Sequence, residues 1–307
     1  MRKVPTVYVL MSTYNGERFV REQIESVLNQ IDVDVQLIIR DDGSRDNTSK
    51  IISEICENKS NVIFLQGKNI GVKKSFFELL KLCQEKRGYF AFCDQDDIWN
   101  KDKLKNACDT MMNNEDDSCL YYCAAMSVDE ELNELGRTLD DNHVPYEFMN
   151  ILLKNCALGC TMVFNELLKD NLLKTNIDKV FYKPLHDHWA YLVCCAIGGK
   201  IFFDSRVNML YRQHSNNVVG SHRKITTKIK ESAFWRNRNE RYRYSCDLYN
   251  CYVNEIAEDN KKTLSLICNY KLSIKDRLKL CMNIIANKQM KLLPKYICFC
   301  EVMFGRF

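Results

Sequence analysis

The segment Asp94-Gln95-Asp96-Asp97 carries three carboxylates within four residues, which is enough to bind a metal ion. In an extended segment alternate side chains point the same way, so Asp94 and Asp96 can face one site. Carboxylate oxygens suit Mg²⁺ or Mn²⁺, and the remaining positions of such an ion can bind substrate phosphates. A solvated acidic turn is the alternative. The position directly after an apolar strand, Tyr89–Cys93, favours the metal site.

Two more polar clusters follow predicted strands. Ser12–Glu17 comes after the apolar run Thr6–Met11, and Asp41–Asp46 comes after Val35–Ile39. Up to residue 93 such strands alternate with segments of helical periodicity, which predicts an α/β fold: a mostly parallel sheet with helices on both faces. Ligands of these sheets bind outside the carboxyl ends of the strands. We therefore expect the three clusters to form one site.

The loop after the first strand excludes two kinds of nucleotide site. It contains one glycine, Gly16, and lacks the G-x-G-x-x-G pattern of dinucleotide-binding domains; the chain also lacks a P-loop. Backbone N–H groups are therefore not the main counter-charge for a bound diphosphate. A metal ion held by the acidic cluster is the alternative that we favour.

The second half of the chain has a less regular pattern. It predicts a helix at Trp189–Ile197, then a closing pair of strands at Ile201–Phe203 and Val207–Tyr211. From about Ile225 the chain is helix-rich, basic and amphipathic. Residues 1–215 carry a net charge of −6 and residues 216–307 a net charge of +10, which predicts an anionic partner for the second part. Because no segment resembles a nucleic-acid-binding module, we do not expect that partner to be a nucleic acid.

Composition limits the class of protein. Of the 307 residues, 46% are hydrophobic and 27% are charged, which is typical of a globular protein and excludes a disordered one. No run of apolar residues approaches the length of a transmembrane helix, and no signal peptide is evident. The 16 cysteines include no C-x-x-C pair, so we expect reduced thiols in the cytoplasm and no zinc site.

Motifs in the predicted site resemble those of family 2 glycosyltransferases with the GT-A fold. The bacterial branch with rhamnosyltransferases of cell-surface polysaccharide assembly is the most similar, over about residues 5–220. The matching motifs are Thr13-Tyr14-Asn15, Asp41-Asp42-Gly43-Ser44-x-Asp46-x-Thr48, Phe92-Cys93-Asp94-Gln95-Asp96-Asp97-Ile98-Trp99, Gly159-Cys160-Thr161-Met162 with Asn165, His186-Asp187-His188-Trp189, Gly198-Gly199-Lys200-Ile201 and Tyr211-Arg212-Gln213-His214-x-x-Asn217.

The resemblance implies a GT-A catalytic domain, a Rossmann-like mostly parallel sheet, over residues 1–220. Residues 1–97 would be the nucleotide-sugar-binding half and residues 98–220 the acceptor half, followed by a basic helical region at 221–307. Thr13, Tyr14 and Glu17 would line the base and ribose. Asp41 would accept a hydrogen bond from the N3–H group of uracil or thymine, so a UDP- or dTDP-sugar fits better than a GDP-sugar.

The resemblance also implies a metal site. Asp96 would be the principal ligand of Mn²⁺ or Mg²⁺, and Asp94 would approach both the metal and the ribose. His214 would be an additional contact to the metal or the diphosphate, with a polar loop residue as the alternative. Arg212 could bind the diphosphate directly.

Asp187 occupies the position of the catalytic base in this family. The alternative is that it caps the helix that follows. We assign five residues to the acceptor side: Trp99, Gly159, Cys160, Thr161 and His186. The alternative is that they only pack in the interior or form a tight turn. His186 and His188 have H-x-H spacing, which could bind a transition metal, but no third soft ligand is evident.

The expected function is inverting, metal-dependent glycosyl transfer to a saccharide or lipid-linked saccharide acceptor. Rhamnose from dTDP-rhamnose is the first candidate, and galactose or an N-acetylhexosamine from a UDP-sugar is the next. A metal-dependent phosphohydrolase and an inactive assembly scaffold are the alternatives of other classes. Lys271–Lys295 mixes lysines with apolar residues, as an interfacial helix does, which predicts peripheral binding to an anionic membrane on its cytoplasmic face. A helical cap packed on the catalytic domain is the alternative.

Overall fold

The computed structural model describes residues 4–57, 59–114, 116–139, 141–177, 180, 185–214 and 239–307. The predicted domain boundary at residue 220 and the motif residue Asn217 lie outside this part of the chain. The chain divides into two compact units. The first unit comprises Met1–Pro145, Ala157–Leu173 and Gly199–Val218, and the second comprises Tyr146–Cys156, Lys174–Gly198 and Val219–Phe307.

The strands of the described residues all belong to the first unit. They are β1 Thr6–Thr13, β2 Asp34–Asp41, β3 Val62–Gln66, β4 Tyr89–Cys93, β5 Ile98–Trp99, β6 Cys119–Val128, β7 Glu134–Arg137, β8 Met162–Asn165 and β9 Lys200–Arg212. They form one mixed sheet in the order β3-β2-β1-β4-β8-β6-β9-β5, with β7 paired to β6. The pairs β3–β2, β2–β1 and β1–β4 are parallel, as predicted, and β8 is antiparallel to both of its neighbours.

Helices flank the sheet and build the second unit. They are α1 Val20–Leu28, α2 Thr48–Cys56, α3 Val72–Leu82, α4 Lys103–Met111, α5 Phe148–Ile151, α6 Glu166–Leu173, α7 His186–Ala196, α8 Glu240–Tyr252, α9 Glu258–Asn269, α10 Ile274–Ala286 and α11 Leu292–Met303. The helix-rich character predicted for the end of the chain is confirmed. No helix of the described residues is both long and apolar enough to cross a lipid bilayer.

The local sequence explains why β1 and α1 form and pack together in the first unit. β1 has the sequence TVYVLMST, and its β-branched and apolar residues are mostly buried on both faces, as expected for a central strand of a parallel sheet. α1 buries Val20, Ile24 and Val27 at i, i+4 and i+7, which is one helical face. These residues and those of β1 belong to one hydrophobic core.

Two differences from the predicted elements concern the strands β9 and β7. The prediction of two separate strands at Ile201–Phe203 and Val207–Tyr211 is wrong, because β9 is one continuous strand that pairs with β6. Its register shifts where Cys123 pairs with Asp204 and Ala124 with Val207, so two residues bulge out between the halves. β7 forms in a segment for which no strand was predicted. Its exposed residues carry no hydrophobic signal that would have indicated a strand.

All 16 cysteines are free thiols, as expected from their spacing. Each one is buried or half-buried. Burial raises the pKa of Cys83 and of Cys119 to about 11, so both keep their protons at neutral pH. They act as small apolar residues of the interior.

Candidate active site

The carboxyl ends of β1, β2 and β4 lie side by side at one edge of the sheet. These three strands are adjacent and parallel, and their register pairs Thr13 with Asp41 and Met11 with Cys93. The polar cluster that follows each strand therefore begins at the same edge. The predicted convergence of the three clusters is confirmed by this register.

Asp41 is buried and lies at the centre of a hydrogen-bond network. Its Oδ1 accepts from Thr13 Oγ1 at 2.9 Å and from Ser44 Oγ at 2.5 Å. Its Oδ2 accepts from the Ser44 N–H at 2.9 Å and from Ser49 Oγ at 3.0 Å. A carboxylate can accept about four hydrogen bonds, and these four donors occupy all of those positions. A nucleobase N3–H group must therefore replace or share one of the hydroxyl donors, most simply the rotatable Ser49 hydroxyl.

Asp42 has a different role from its neighbour. It forms an ion pair with Arg40, with 2.5 Å between Nη1 and Oδ1, and both side chains are nearly inaccessible. Its carboxylate also accepts the backbone N–H groups of Ile70 and Gly71 at 2.9 and 2.8 Å. Asp42 thereby connects the end of β2 to the loop before α3. Asp42 thus stabilises the loop, and the nucleotide-binding role of Asp41 stays a prediction.

Tyr14 and Glu17 lie in the loop after β1. The Tyr14 side chain is 42% exposed, which leaves its ring accessible for stacking on a base. Glu17 Oε2 accepts the backbone N–H of Asn47 at 2.9 Å and its side-chain amide at 2.8 Å. This contact links the β1 loop to the β2 loop. The nucleotide-binding roles of both residues stay predictions.

Gln95, the middle residue of the acidic motif, pairs with the backbone of Tyr14. Its Oε1 accepts the Tyr14 N–H at 2.8 Å, and its Nε2 donates to the Tyr14 carbonyl oxygen at 3.1 Å. A Cβ atom at Gly16 would lie 2.3 Å from Gln95 Oε1, so a larger residue there would displace the Gln95 amide. The amide therefore connects the acidic motif directly to the predicted nucleotide loop. Sequence reasoning missed this residue, although an amide between two ligand-type carboxylates was visible.

We expect Gln95→Glu to weaken the binding of dTDP or UDP about tenfold. The new carboxylate can still accept the Tyr14 N–H group, but it places a second acceptor against the Tyr14 carbonyl oxygen, and a lost hydrogen bond costs about 0.5–1.5 kcal/mol. Titration calorimetry measures the affinity. Gln84→Glu, at an exposed position, is the matched control. An unchanged affinity in Gln95→Glu would show that the contact does not position the loop.

The acidic motif brings together two of the three predicted metal ligands. His214 Nε2 lies 2.7 Å from Asp96 Oδ2, and both side chains are largely buried. Ligand atoms of Asp94, Asp97 and Cys160 lie within 4.8 Å of one another. The Asp96 carboxylate and the His214 imidazole, which are in contact, are groups that suit a divalent cation such as Mn²⁺.

Asp97 and Cys160 are weaker candidates for metal binding than Asp94, Asp96 and His214. Burial, followed by the charges of Asp96 and Asp94, raises the pKa of Asp97 well above its usual range. Burial and then the Asp97 charge likewise raise the pKa of the Cys160 thiol. Hard cations bind ionised oxygen ligands, and the raised pKa values favour the protonated form of both groups.

Arg212 forms hydrogen bonds that hold the acidic motif in position. Its side chain is buried; Nε donates to the Asp96 carbonyl oxygen at 3.0 Å, and Nη1 donates to the Glu130 carbonyl oxygen at 2.6 Å. Its Nη2 pairs with Glu22 at 2.6 Å, and its backbone N–H donates to Asp97 Oδ1 at 3.1 Å. Every side-chain nitrogen of Arg212 thus has a protein partner, which favours a positioning role. The predicted contact to a diphosphate stays a prediction.

The residues assigned to the acceptor side in the first unit are packed in its interior. Trp99 is 3% exposed, and Lys103 Nζ lies 3.1 Å from the centre of its ring. Gly159–Thr161 forms a buried 3₁₀ turn, and the Cys160 carbonyl oxygen accepts Lys103 Nζ at 2.8 Å. Burial lowers the pKa of Lys103. These contacts favour the packing alternative, and Lys103 is a buried cation that sequence reasoning missed.

Asp187 belongs to the second unit. The helix begins at His186, three residues earlier than predicted, so Asp187 lies within its first turn and is not the N-cap. Its Oδ1 accepts the His188 N–H group at 2.7 Å, and its Oδ2 accepts Asn155 Nδ2 at 2.9 Å. Asn155 was not predicted to take part. Two donors on separate segments thus fix the orientation of the carboxylate, and its role as a base stays a prediction.

Of the histidines beside Asp187, His186 is buried and His188 is half-buried. His188 Nε2 lies 2.6 Å from the Ile151 carbonyl oxygen, which identifies this nitrogen as the donor. Burial lowers the pKa of His188 to about 4, against its usual 6.5. Among the described residues, Asp94, Asp97 and Cys160 form the one group of three with metal-ligand spacing, and it includes neither His186 nor His188.

We expect the free energy of unfolding to fall by about 3 kcal/mol between pH 6.5 and pH 4 because of His188. The folded state keeps this imidazole neutral down to about pH 4, whereas the unfolded chain binds a proton from about pH 6.5. Protons are therefore taken up on unfolding, and stability rises with pH in this window. His188→Gln keeps a donor for Ile151 and should remove this part of the slope. Urea unfolding at several pH values measures it, and equal slopes in both proteins would contradict the assignment.

Comparison with known proteins identifies the family. Residues 8–177 match the model of Glycosyl transferase family 2. The dTDP-rhamnosyl transferase RfbG of Shigella flexneri is 32% identical over 238 residues, which are 74% of this chain and 80% of RfbG. The UDP-Glc:alpha-D-GlcNAc-diphosphoundecaprenol beta-1,3-glucosyltransferase WfgD of Escherichia coli is 29% identical over 157 residues, which are 51% of this chain and 58% of WfgD.

Solved structures show the same fold. The crystal structure of TarS residues 1–349 from S. aureus matches with a TM-score of 0.57 and 19% sequence identity. The matched region is 98% of this chain and 80% of the TarS chain. At this identity the likeness concerns the fold alone. The expected GT-A fold is thereby confirmed. Because the family model matches more than half of the chain, and RfbG is related over most of its length, the chain belongs to glycosyl transferase family 2 and is a glycosyltransferase.

Proposed function

We propose that this enzyme is an inverting, metal-dependent transferase that moves rhamnose from dTDP-rhamnose to a saccharide acceptor in bacterial surface polysaccharide synthesis. The observation that carries the proposal is the common strand edge, where the Thr13–Asp41 pair lies beside the motif that holds Asp96 against His214. A pyrimidine diphosphate needs these two features: an acceptor for N3–H, and ligands for a cation on the diphosphate.

The proposed reaction assigns one task to each group of residues. Asp94, Asp96 and His214 would hold the divalent cation, Mn²⁺ or Mg²⁺. When bound, that cation offsets the charge on the departing diphosphate. The acceptor oxygen attacks the anomeric carbon, the bond from this carbon to the diphosphate oxygen breaks, and Asp187 takes the proton of the acceptor hydroxyl. A base that removes this proton during attack is compatible with inversion.

The sugar is proposed from the relationship to RfbG, which is named a dTDP-rhamnosyl transferase. Thymine and uracil both present an N3–H group, so Asp41 does not distinguish dTDP-sugars from UDP-sugars. Transfer of galactose or an N-acetylhexosamine from a UDP-sugar is therefore the second candidate. The relative WfgD, which is named for a UDP-sugar donor, supports this second candidate.

The acceptor is proposed to be carried by a lipid. WfgD is named for a diphosphoundecaprenol-linked acceptor, which is a saccharide on a lipid carrier. We accordingly propose that this enzyme works in the cytoplasm, peripherally on the inner face of the plasma membrane. Such a location would concentrate the enzyme near a lipid-linked substrate.

A donor panel tests the proposal. Purified enzyme is incubated with dTDP-rhamnose, UDP-galactose, UDP-N-acetylglucosamine and GDP-mannose, each with Mn²⁺, with Mg²⁺ or with EDTA, and chromatography measures the nucleoside diphosphate released. We expect release of dTDP that needs a divalent cation. Release of UDP instead supports the second candidate, release of inorganic phosphate supports the phosphohydrolase, and no turnover with lipid-linked acceptors supplied supports the inactive scaffold.

A further inference from the structure

An exposed apolar stripe runs along α10 in the second unit. Its members are Ile274, Leu278, Met282 and Ile285, and their exposed fractions lie between 52% and 76%. At 3.6 residues per turn these four positions fall within an arc of about 80°. They therefore form one continuous line of side chains that is open to solvent.

The part of the same helix next to the stripe is already covered. Leu280, Cys281 and Ile284 are buried within the second unit. On the same helical geometry these three residues and the stripe adjoin and together span an arc of about 200°, which is wider than the apolar arc of about 100° that a surface helix needs to face its core. Among the described residues, packing covers the first part of this arc and leaves the stripe exposed.

Lysines border the stripe. Lys275 and Lys279 follow it on the helix surface, and Lys288 and Lys291 come directly after the helix; all four are exposed. Within the part of the chain that the structure describes, none of these lysines pairs with a carboxylate. The segment 271–295 carries six lysines and one arginine against a single aspartate. The net charge of this segment is therefore +6.

More exposed apolar residues follow at the start of α11. Leu292, Leu293 and Tyr296 are all largely exposed. Lys295 Nζ donates to the Ile285 carbonyl oxygen at 3.0 Å, which places the start of α11 beside the end of the stripe. The apolar surface is thus longer than α10 alone.

We propose that the α10 stripe and the start of α11 bind the surface of an anionic lipid bilayer. Apolar side chains enter the boundary between headgroups and acyl chains, and the flanking lysines are attracted to the negative surface. Charge argues against a second copy of the chain, because two such faces would bring their lysines together. The inference deepens the proposed function by naming the surface that meets the membrane.

Flotation of the full-length protein tests the proposal, with vesicles of phosphatidylcholine alone and vesicles that also contain phosphatidylglycerol. We expect binding to the anionic vesicles only. The double variant L278E/M282E should lose it, and Lys275→Gln and Lys279→Gln should each lower the partition coefficient about fivefold. Leu82→Glu, at a position 49% exposed on α3, and Lys50→Gln are the matched controls and should bind like the natural chain.

The outcomes separate the alternatives. Absence of flotation with anionic vesicles, or equal flotation of the stripe variants, would overturn the proposal. A natural chain that is oligomeric in light scattering, and that the stripe variants convert to monomer without any lipid binding, would show that a second copy covers the face. Circular dichroism checks that the variants fold. Nucleotide release with a soluble acceptor should be unchanged in all of them, so a failure here leaves the proposed transferase activity untouched.

Discussion

Asp96→Ala is expected to lower the transfer rate on the order of 10²–10³-fold while the protein stays folded. The substitution removes the carboxylate that His214 contacts at 2.7 Å, and with it the proposed principal ligand of the cation. Charge on the departing diphosphate is then no longer offset, and loss of one such electrostatic contact costs on the order of 10²–10³ in rate. Rates are measured by nucleotide release, and Mn²⁺ binding by calorimetry.

Asp109→Ala is the control for this variant. It removes an exposed carboxylate from α4, whose contact is an ion pair with Lys105, and it should keep both the rate and the affinity for the cation. Chelation of the natural enzyme should reproduce the behaviour of Asp96→Ala. Full activity in excess EDTA would refute the metal-dependent mechanism.

Asp187→Asn should reduce the transfer rate on the order of 10²–10⁴-fold and leave nucleotide-sugar binding near normal. The amide keeps the size of the side chain and an acceptor oxygen for the His188 N–H, but it cannot take a proton at neutral pH. The size of the loss follows from removing one positioned acid–base group. Single-turnover rates and the affinity for the donor are measured separately.

Asn155 provides the matched comparison for Asp187. Asn155→Ala removes the donor to Asp187 Oδ2 but leaves the carboxylate in place, so we expect a smaller loss of rate. Removal of this half-buried hydrogen-bond partner should also lower stability by about 0.5–1.5 kcal/mol. If Asp187→Asn lost thermal stability but kept its rate per folded molecule, the residue would stabilise its helix and the base would lie elsewhere.

The sheet and its edge were predictable because their signals are local. β4 has the predicted bounds Tyr89–Cys93, since a short apolar run ends abruptly at an aspartate. The same combination of an apolar run and a polar turn marks the ends of β1 and β2. Parallel pairing then brings three clusters that are far apart in sequence to one edge. The position of the site follows from that rule without any knowledge of side-chain contacts.

The partners of the site residues were not predictable, because they depend on contacts distant in sequence. Gln95 reaches the backbone of Tyr14 across 81 positions, and Asn155 reaches Asp187 across 32. Neither pair has a pattern in the chain that marks it. The start of α7 was missed for a related reason, since Asp187 was interpreted as the catalytic base or the cap of the helix, and His186 as an acceptor-side residue, and not as its first turn.

The rate at which a thiol reagent labels the free cysteines can measure how often the structure opens locally. Nine of the 16 cysteines are buried, so an aqueous thiol reagent reaches them only when the surrounding structure opens. Cys93 and Cys160 lie in and beside the acidic motif, and burial raises the pKa of both thiols well above the usual value. Their labelling rates, resolved by mass spectrometry of peptides, measure how often this motif opens. The same chain, without any added probe, can thus report whether a bound nucleotide sugar closes that region.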